Sequence, residues 1–173
     1  THNAWHPSKT AGGSSGGAAV ALAKRVLPVA DGSDFMGSLR NLAGWNHVFG
    51  MRPSQGRVPM SPAQDVFIAQ LATEGPMGRH VRDLAMLLSV QAGADLASPL
   101  SLTDDPAVFA GSLDSDPQGQ RIGWLGDLNG YLPMEAGVLQ ACENGLQRLT
   151  HLGAHVEPVS PNFSPAAVWQ TWL

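Results

Sequence analysis

Two glycine- and serine-rich segments contain the side chains of this 173-residue sequence that are best suited to chemistry. The first is GGSSGG at residues 12–17, and the second is GSDFMGSLR at residues 32–40. Glycine has no Cβ, so the backbone of such a segment turns tightly and aims successive N–H groups at one point. That arrangement stabilises an anion, either a phosphate or the oxyanion formed when a carbonyl is attacked. A serine in such a segment is a nucleophile when a base lies nearby.

The residues alone leave other interpretations of these segments open. Both are also compatible with simple tight turns between packed elements. A phosphate loop is disfavoured because the pattern G-x-x-x-x-G-K-[ST] is absent. The residues at 12–16 fit the G-x-S-x-G nucleophile elbow, but that motif follows a strand, and the polar sequence at 6–11 does not predict one.

The sequence predicts neither a metal site nor a cofactor. His151 and His155 have the i, i+4 spacing of a metal-binding helix. Gly153, which lies between them, is expected to end that helix, so the two side chains should diverge.

Hydrophobic spacing and turn residues predict the elements that position the two segments. Helices are predicted at 17–25, 39–45, 79–92 and 133–152, and strands at 26–30, 47–51, 121–125 and 155–159. Loops are predicted at 1–17, 31–38 and 52–62, irregular structure at 95–120, and a further helix starting at Ser164 and Pro165. The order strand, helix, strand over 121–159 predicts a parallel β-α-β unit and therefore an α/β fold.

Composition and the two chain ends predict that this is an internal fragment of a longer protein. Charged residues make up only 14% of the sequence, against the usual quarter, so we expect the chain to pack against further protein. It begins at Thr1 instead of Met and ends on an apolar helix with Trp169, Trp172 and Leu173.

Charge and apolar content exclude two classes of partner and suggest a compartment. The net charge of −4 and the lack of a basic stripe argue against direct nucleic acid binding. No apolar stretch approaches the ~20 residues of a membrane span. The single cysteine, Cys142, forms no internal disulfide, which agrees with a cytoplasmic location.

Four runs of residues, in this order, resemble the amidase signature family. They are PSKTAGGSSGGAAVALA at 7–23, GSDFMGSLR at 32–40, VFGMRPSQGRVP at 48–59 and TEGPMGRHVRDLAMLL at 73–88. The resemblance is strong over 1–95, and the sequence from 121 onward is consistent with it. It implies a mixed β-sheet core covered by helices on both sides, of which 1–173 form one partial domain. Within it we expect a catalytic-loop core at 1–62, a helix and an irregular surface segment at 63–120, and the β-α-β unit with the start of a helix at 121–173.

The resemblance also implies a role for each residue of the two segments. Ser38 is expected to attack the amide carbonyl and to carry the acyl group. Ser14, preceded by a cis peptide bond, is expected to bridge Ser38 to a catalytic lysine, which the family places upstream of Thr1. Neither Lys9 nor Lys24 is expected to replace it. The implied oxyanion hole consists of the backbone N–H groups of Phe35, Met36, Gly37 and Ser38, and the implied supporting residues are Gly13, Ser15, Ser33, Asp34 and Arg40.

One departure from the family pattern bears on the pocket. Met36 stands where the family pattern has glycine. Its backbone is strained if that position requires a positive φ; otherwise its side chain narrows the pocket.

The implied function is the hydrolysis of a carboxylic amide. The expected partners are a small-molecule amide, the remainder of an amidase domain and a second copy in a homodimer. The alternatives are an amidotransferase A-type subunit that uses glutamine and a tRNA-bound acyl group, and a catalytically inactive fragment. LAGWNH at 42–47 replaces the PAxFCG-type segment of such subunits, which favours a stand-alone amidase whose pocket Phe35, Met36 and Trp45 line.

Overall fold

The protein is described by a computed structural model that covers residues 1–61 and 71–173. These residues form two compact units, Thr1–Leu113 and Asp114–Leu173. Helices and strands are interspersed along the described chain, in agreement with the predicted α/β class. The predicted boundary between residues 62 and 63, and the end of the predicted 52–62 loop, lie outside the described residues.

In its described residues, 1–61 and 71–113, the first unit contains a three-stranded antiparallel sheet and three α-helices. Its elements are α1 (Gly16–Ala23), β1 (Val29–Asp34), α2 (Arg40–Asn46), β2 (Phe49–Gly50), β3 (Thr73–Gly78), α3 (Val81–Gln91) and a 3-10 helix (Pro106–Ala110). The strand order is β1-β3-β2, so β3 occupies the centre of the sheet.

The predicted strand at 26–30 was misplaced, and its central partner was not predicted. β1 begins at Val29 and continues to Asp34, through half of the predicted 31–38 loop. It does so because its backbone pairs with β3, with Asp34 opposite Thr73 and Ser33 opposite Glu74. β3 has the sequence TEGPMG, and glycine and proline are residues that propensity alone does not assign to a strand. Ser33 and Asp34 therefore lie on a paired strand, which gives the second segment a rigid start.

A small hydrophobic core joins the sheet to the two helices that follow the serine segments. It consists of Ala19 and Leu22 from α1, Leu39 and Leu42 at α2, and Met77 from β3, all fully buried. Each buried leucine contributes about 1.5–3 kcal/mol to the free energy of unfolding. The core therefore anchors the helices that begin just after Ser15 and just after Leu39, and with them the ends of both segments.

The second unit contains the predicted parallel β-α-β arrangement. Strands β4 (Arg121–Trp124) and β5 (His155–Pro158) pair in parallel, and α4 (Val138–His151) connects them. α4 starts later than the predicted residue 133, directly after Gly137, whose φ is 87°. The last helix, α5 (Pro165–Trp172), begins where predicted, and the Ser164 side chain accepts a hydrogen bond from the Ala167 amide.

Two properties of the described residues bear on metal binding and membrane insertion. Their His, Cys, Asp and Glu side chains form no group of three that could hold a metal ion. None of their helices combines the length and the apolar character needed to cross a membrane.

Candidate active site

The first serine segment forms a turn that packs against α2. The peptide bond between Gly13 and Ser14 is cis, and the Gly12 amide donates to Thr10 Oγ1 at 3.1 Å. A Cβ at Gly12 would lie 2.9 Å from Trp45 Cε3, so the backbone touches the indole ring there. Gly13 and Ser14 are both exposed, and Ser15 is half-buried just before α1. Ser14 is therefore accessible at the surface of this turn.

The second serine segment leaves the end of β1 and turns into α2. Gly37 has a φ of 103°, whereas Met36 is not among the residues with positive φ. The methionine at this position is thus not strained, and its side chain is 55% exposed. Phe35 is 51% exposed, and Ser38 is half-buried two residues before α2. Ser38 thus lies between an exposed apolar turn and the fully buried Leu39, which precedes the first residue of α2.

The two segments touch at Gly32. A Cβ built there would lie 2.5 Å from Ser15 Oγ, 2.9 Å from Ser15 Cβ and 3.1 Å from Leu39 Cδ2. Only glycine leaves room for this approach. The structure therefore brings the first segment against the strand that begins the second one, although residues 18–31 separate the two segments in the sequence.

The Asp34 carboxylate organises the second segment. It is fully buried, and it accepts hydrogen bonds from the Gly37 amide at 2.7 Å and the Leu39 amide at 3.1 Å. Arg40 donates to both of its oxygens, from Nε and Nη2, each at 3.0 Å. The turn that contains Ser38 is therefore closed around one carboxylate.

The hydrogen bonds to Asp34 also determine its charge. Burial by itself would raise the pKa of Asp34, but the Arg40 side chain and the amides of Gly37, Leu39 and Arg40 outweigh burial. Together they hold the pKa of this carboxyl well below its usual range. Asp34 is therefore ionised at neutral pH, and it serves as an acceptor in this site, not as an acid.

Arg52 is a second cation on Asp34, and the sequence predicted no role for it. Its Nε lies 3.6 Å from Asp34 Oδ1 and donates to the Asp34 carbonyl oxygen at 3.4 Å. Its Nη2 donates to the Leu71 carbonyl oxygen at 2.7 Å. The only signal in the sequence was the basic position of the run VFGMRP, which pointed to no particular partner.

Ser33 lies on β1, half-buried, opposite Glu74 in the register of the strand pair. Burial, and then the charge of Asp31, raise the pKa of Glu74. This carboxyl was not predicted as part of the site. It places a second acidic group beside the strand that carries Asp34.

The four backbone amides predicted to form the oxyanion hole differ in whether they already donate a hydrogen bond within the protein. The Gly37 N–H points to Asp34 Oδ1, so it serves the shape of the turn. Within 1–61 and 71–173, the amides of Met36 and Ser38 have no acceptor. The amides that remain for an oxyanion thus flank Gly37 on both sides.

The two lysines lie apart from this arrangement. Lys9 and Lys24 are both exposed, and Lys24 follows the last residue of α1. Neither side chain hydrogen-bonds a serine in the part of the chain that the structure describes. Neither lysine is therefore placed as a base for Ser14 or Ser38 within the described residues.

The chain is similar to amide hydrolases and to amidotransferases. The acylamidase of Rhodococcus erythropolis is 35% identical over 163 residues, which cover 94% of this chain and 34% of the relative. The A-type subunit of the Thermus thermophilus glutamyl-tRNA(Gln) amidotransferase is 38% identical over 169 residues, which cover 97% of this chain and 35% of that relative. This chain therefore spans about a third of the length of these relatives.

The fold is shared with solved structures as well. A bacterial aryl acylamidase of the amidase signature enzymes superposes with a TM-score of 0.87 at 34% identity, over 99% of this chain and 35% of its own. The family model described as Amidase matches residues 1–171. The order of the serine segments, their packing at Gly32 and these matches lead to one conclusion: the chain belongs to the amidase signature family.

Proposed function

We propose that this chain supplies the nucleophile and the bridging serine of an amide hydrolase that works through an acyl-enzyme. Ser38 is the nucleophile, Ser14 is the bridging serine, and the base is a lysine from outside residues 1–173. The observation that carries the proposal is the packing of Ser15 against Gly32, which brings the two serine segments side by side. Membership of the amidase signature family supports it.

The proposed reaction begins with attack of Ser38 Oγ on the amide carbonyl carbon. The Ser38 proton passes to Ser14, whose own proton passes to the neutral lysine amine. As the C–N bond breaks, the lysine returns a proton through Ser14 to the leaving nitrogen, which departs as an amine. Water then attacks the acyl-enzyme by the same proton route, releasing the carboxylic acid and restoring Ser38.

The negative charge on the carbonyl oxygen is stabilised by backbone amides. The amides of Met36 and Ser38 are the donors that we assign to it, because the Gly37 amide is engaged by Asp34. One such donor contributes about 3–4 kcal/mol to transition-state stabilisation. Asp34, Arg40 and Arg52 hold the turn so that these amides do not reorient during the reaction.

The exposed apolar side chains beside Ser38 favour a hydrophobic acyl or amine group in the substrate. Phe35 and Met36 lie in the turn that contains Ser38, and Trp45 lies near the end of α2 against Gly12; each of the three side chains is about half exposed. They offer apolar surface to a bound amide, which agrees with the acylamidases among the relatives.

A second candidate function is that of an amidotransferase component. The observation in its favour is the 38% identity to the A-type subunit of a glutamyl-tRNA(Gln) amidotransferase. In that case the substrate amide is glutamine, and the released ammonia is used by a partner. Hydrolysis of glutamine but not of aryl amides would support this second candidate, and the reverse preference supports the first.

The experiment that tests the proposal uses the complete amidase domain that contains this chain. Ser38→Ala should abolish both amide hydrolysis and labelling by a fluorophosphonate probe, because the acylated oxygen is gone. Ser14→Ala should lower kcat by several orders of magnitude, whereas Ser54→Ala, which changes an exposed serine outside both segments, should leave it unchanged. Labelling of a different serine in the Ser38→Ala variant would contradict the assignment of Ser38 as the nucleophile.

A further inference from the structure

A concave cavity of about 730 Å³ lies in the first unit, and none of the predicted catalytic, oxyanion or supporting residues lines it. Small residues of α1 and α2 line it, and its walls include two aromatic side chains. Among its lining residues are Trp5, Arg25, His47, Phe49, Arg79 and His80. The volume is within the range of ligand and partner sites.

Two arginine side chains border the cavity. Arg25 and Arg79 line it together with two histidines, and no Asp or Glu of the described residues does. Neither arginine forms an ion pair in the described part of the chain. A guanidinium beside apolar surface is suited to bind a carboxylate through two parallel hydrogen bonds.

Two of the lining side chains are held in place before anything binds. Arg79 Nη1 donates to the carbonyl oxygens of Leu22 at 3.1 Å and Leu27 at 2.6 Å, which fixes its position without neutralising its charge. Trp5 Nε1 donates to the Asn46 carbonyl oxygen at 2.8 Å, and the ring makes an edge contact with His47. Side chains that are ordered beforehand lose little entropy on binding.

The aromatic walls remain open to solvent. Trp5 is 64% exposed and Phe49 is 48% exposed, and Val26, which follows Arg25 in the sequence, is 72% exposed. Exposed Trp and Arg grouped in one concavity are the composition of a protein-binding hot spot. A small-molecule site would bury its aromatic walls more deeply.

We infer that this cavity is a docking site for a polypeptide segment from outside residues 1–173 that carries a carboxylate between apolar side chains. The two arginines of the cavity favour a carboxylate in the bound segment, and the exposed aromatic side chains favour apolar residues next to that carboxylate. The relatives are about three times as long as this chain, so a complete amidase domain has polypeptide available to occupy the cavity. The inference does not depend on the roles of Ser14 and Ser38.

The test uses the immobilised chain and peptides as probes. The probes are overlapping short peptides covering the parts of the Rhodococcus erythropolis acylamidase that lie outside its match to this chain. Binding peptides should contain Asp or Glu flanked by apolar residues. Their affinity should fall at least about fivefold when that acid is replaced by its amide, or when Arg25→Gln is introduced.

The matched control is Arg82→Gln, which removes an exposed arginine that does not line the cavity. It should leave peptide affinity unchanged, and circular dichroism should show both variants folded like the parent chain. The inference is overturned if no peptide binds, or if binding is indifferent to Arg25→Gln. It is also overturned if hydrocinnamate binds more tightly than the best peptide, which indicates a small-molecule site, or if the chain forms a discrete dimer that Arg25→Gln dissociates.

Discussion

At the scale of single residues, Asp34 determines the shape of the turn that contains Ser38. Its buried carboxylate accepts from three backbone amides and from the Arg40 guanidinium. A buried charge is costly unless it is paired and hydrogen-bonded, and these donors compensate that cost. Asp34 therefore links the stability of this unit to the geometry of the proposed oxyanion donors.

Asp34→Asn should lower the free energy of unfolding by at least about 2 kcal/mol, because charge-assisted hydrogen bonds are lost in a buried site. Urea denaturation of the chain at low concentration measures this. Asp31→Asn is the matched control on the same strand: Asp31 is exposed, so we expect a change within about 0.5 kcal/mol. Equal effects of the two substitutions would contradict the role given to Asp34.

The lowered pKa of Asp34 also predicts how the stability of the protein responds to acid. Its pKa is lowered in the folded protein relative to the unfolded chain, where an aspartate has a pKa of about 3.9. Its contribution is therefore fully present above that unfolded value and is lost as the pH falls towards the folded one. Urea midpoints measured from neutral pH downward should decline less steeply for the Asp34→Asn variant than for the unsubstituted chain. Equal slopes of midpoint against pH in the two proteins would rule this explanation out.

At the scale of elements, the site depends on the close approach of the turn before α1 to strand β1. Gly32 has no room for a side chain, because Ser15 and the buried Leu39 occupy the space next to it. The pairing of β1 with β3 holds Gly32 in position. The contact between the two segments is thus a property of packed elements, not of either segment alone.

Gly32→Ala should destabilise the chain by about 1–3 kcal/mol, because the added methyl group forces Ser15 or Leu39 to move. In the complete amidase domain it should also lower kcat, since the two serine segments are pushed apart. Gly44→Ala is the control, because a Cβ at this helical position meets nothing within 4 Å. It should be neutral or stabilising by up to about 1 kcal/mol. Full activity in Gly32→Ala would show that the contact is not needed for catalysis.

At the scale of the whole molecule, much apolar surface is open to solvent. Exposed side chains include Trp5, Val26, Met86, Val90, Leu96, Val168, Trp169 and Leu173. Surfaces of this kind mark sites of protein interaction or aggregation. Together with the span of about a third of the relatives, this favours a function that requires further polypeptide.

Residues 1–173 alone should therefore show no turnover of short anilide or amide substrates, and they should aggregate as concentration rises. Ser14 and Ser38 stay protonated and weakly nucleophilic without a base, and the described residues place neither lysine beside them. Turnover assays and light scattering measure the two outcomes. Adding the lysine-bearing segment of an amidase domain, fused or separate, should be necessary for activity. Turnover by the chain alone that disappears in Ser38→Ala would refute this account of the missing base.

The sequence by itself determined those features that depend on neighbouring residues. Glycine and serine spacing marked both segments, and the order of the motifs indicated the family. Hydrophobic periodicity predicted α3 to within two residues, and Ser164 predicted the start of α5, because capping and helical spacing are local properties. The parallel pairing of β4 and β5 was predicted from the order of elements.

Only the tertiary structure decided the features that depend on residues far apart in the chain. β3 is a strand because β1 and β2 pair with it on both sides, despite a sequence that does not favour strand structure. The pairing of β1 and β2 with β3 placed Asp34 on a strand and brought Arg52, which follows β2, to the Asp34 carboxylate. Met36 was free of strain because Gly37 takes the positive φ of the turn. Local sequence encodes turns and helices, whereas contacts such as Ser15 with Gly32 arise when the core of α1, α2 and β3 closes and burial selects which segments meet.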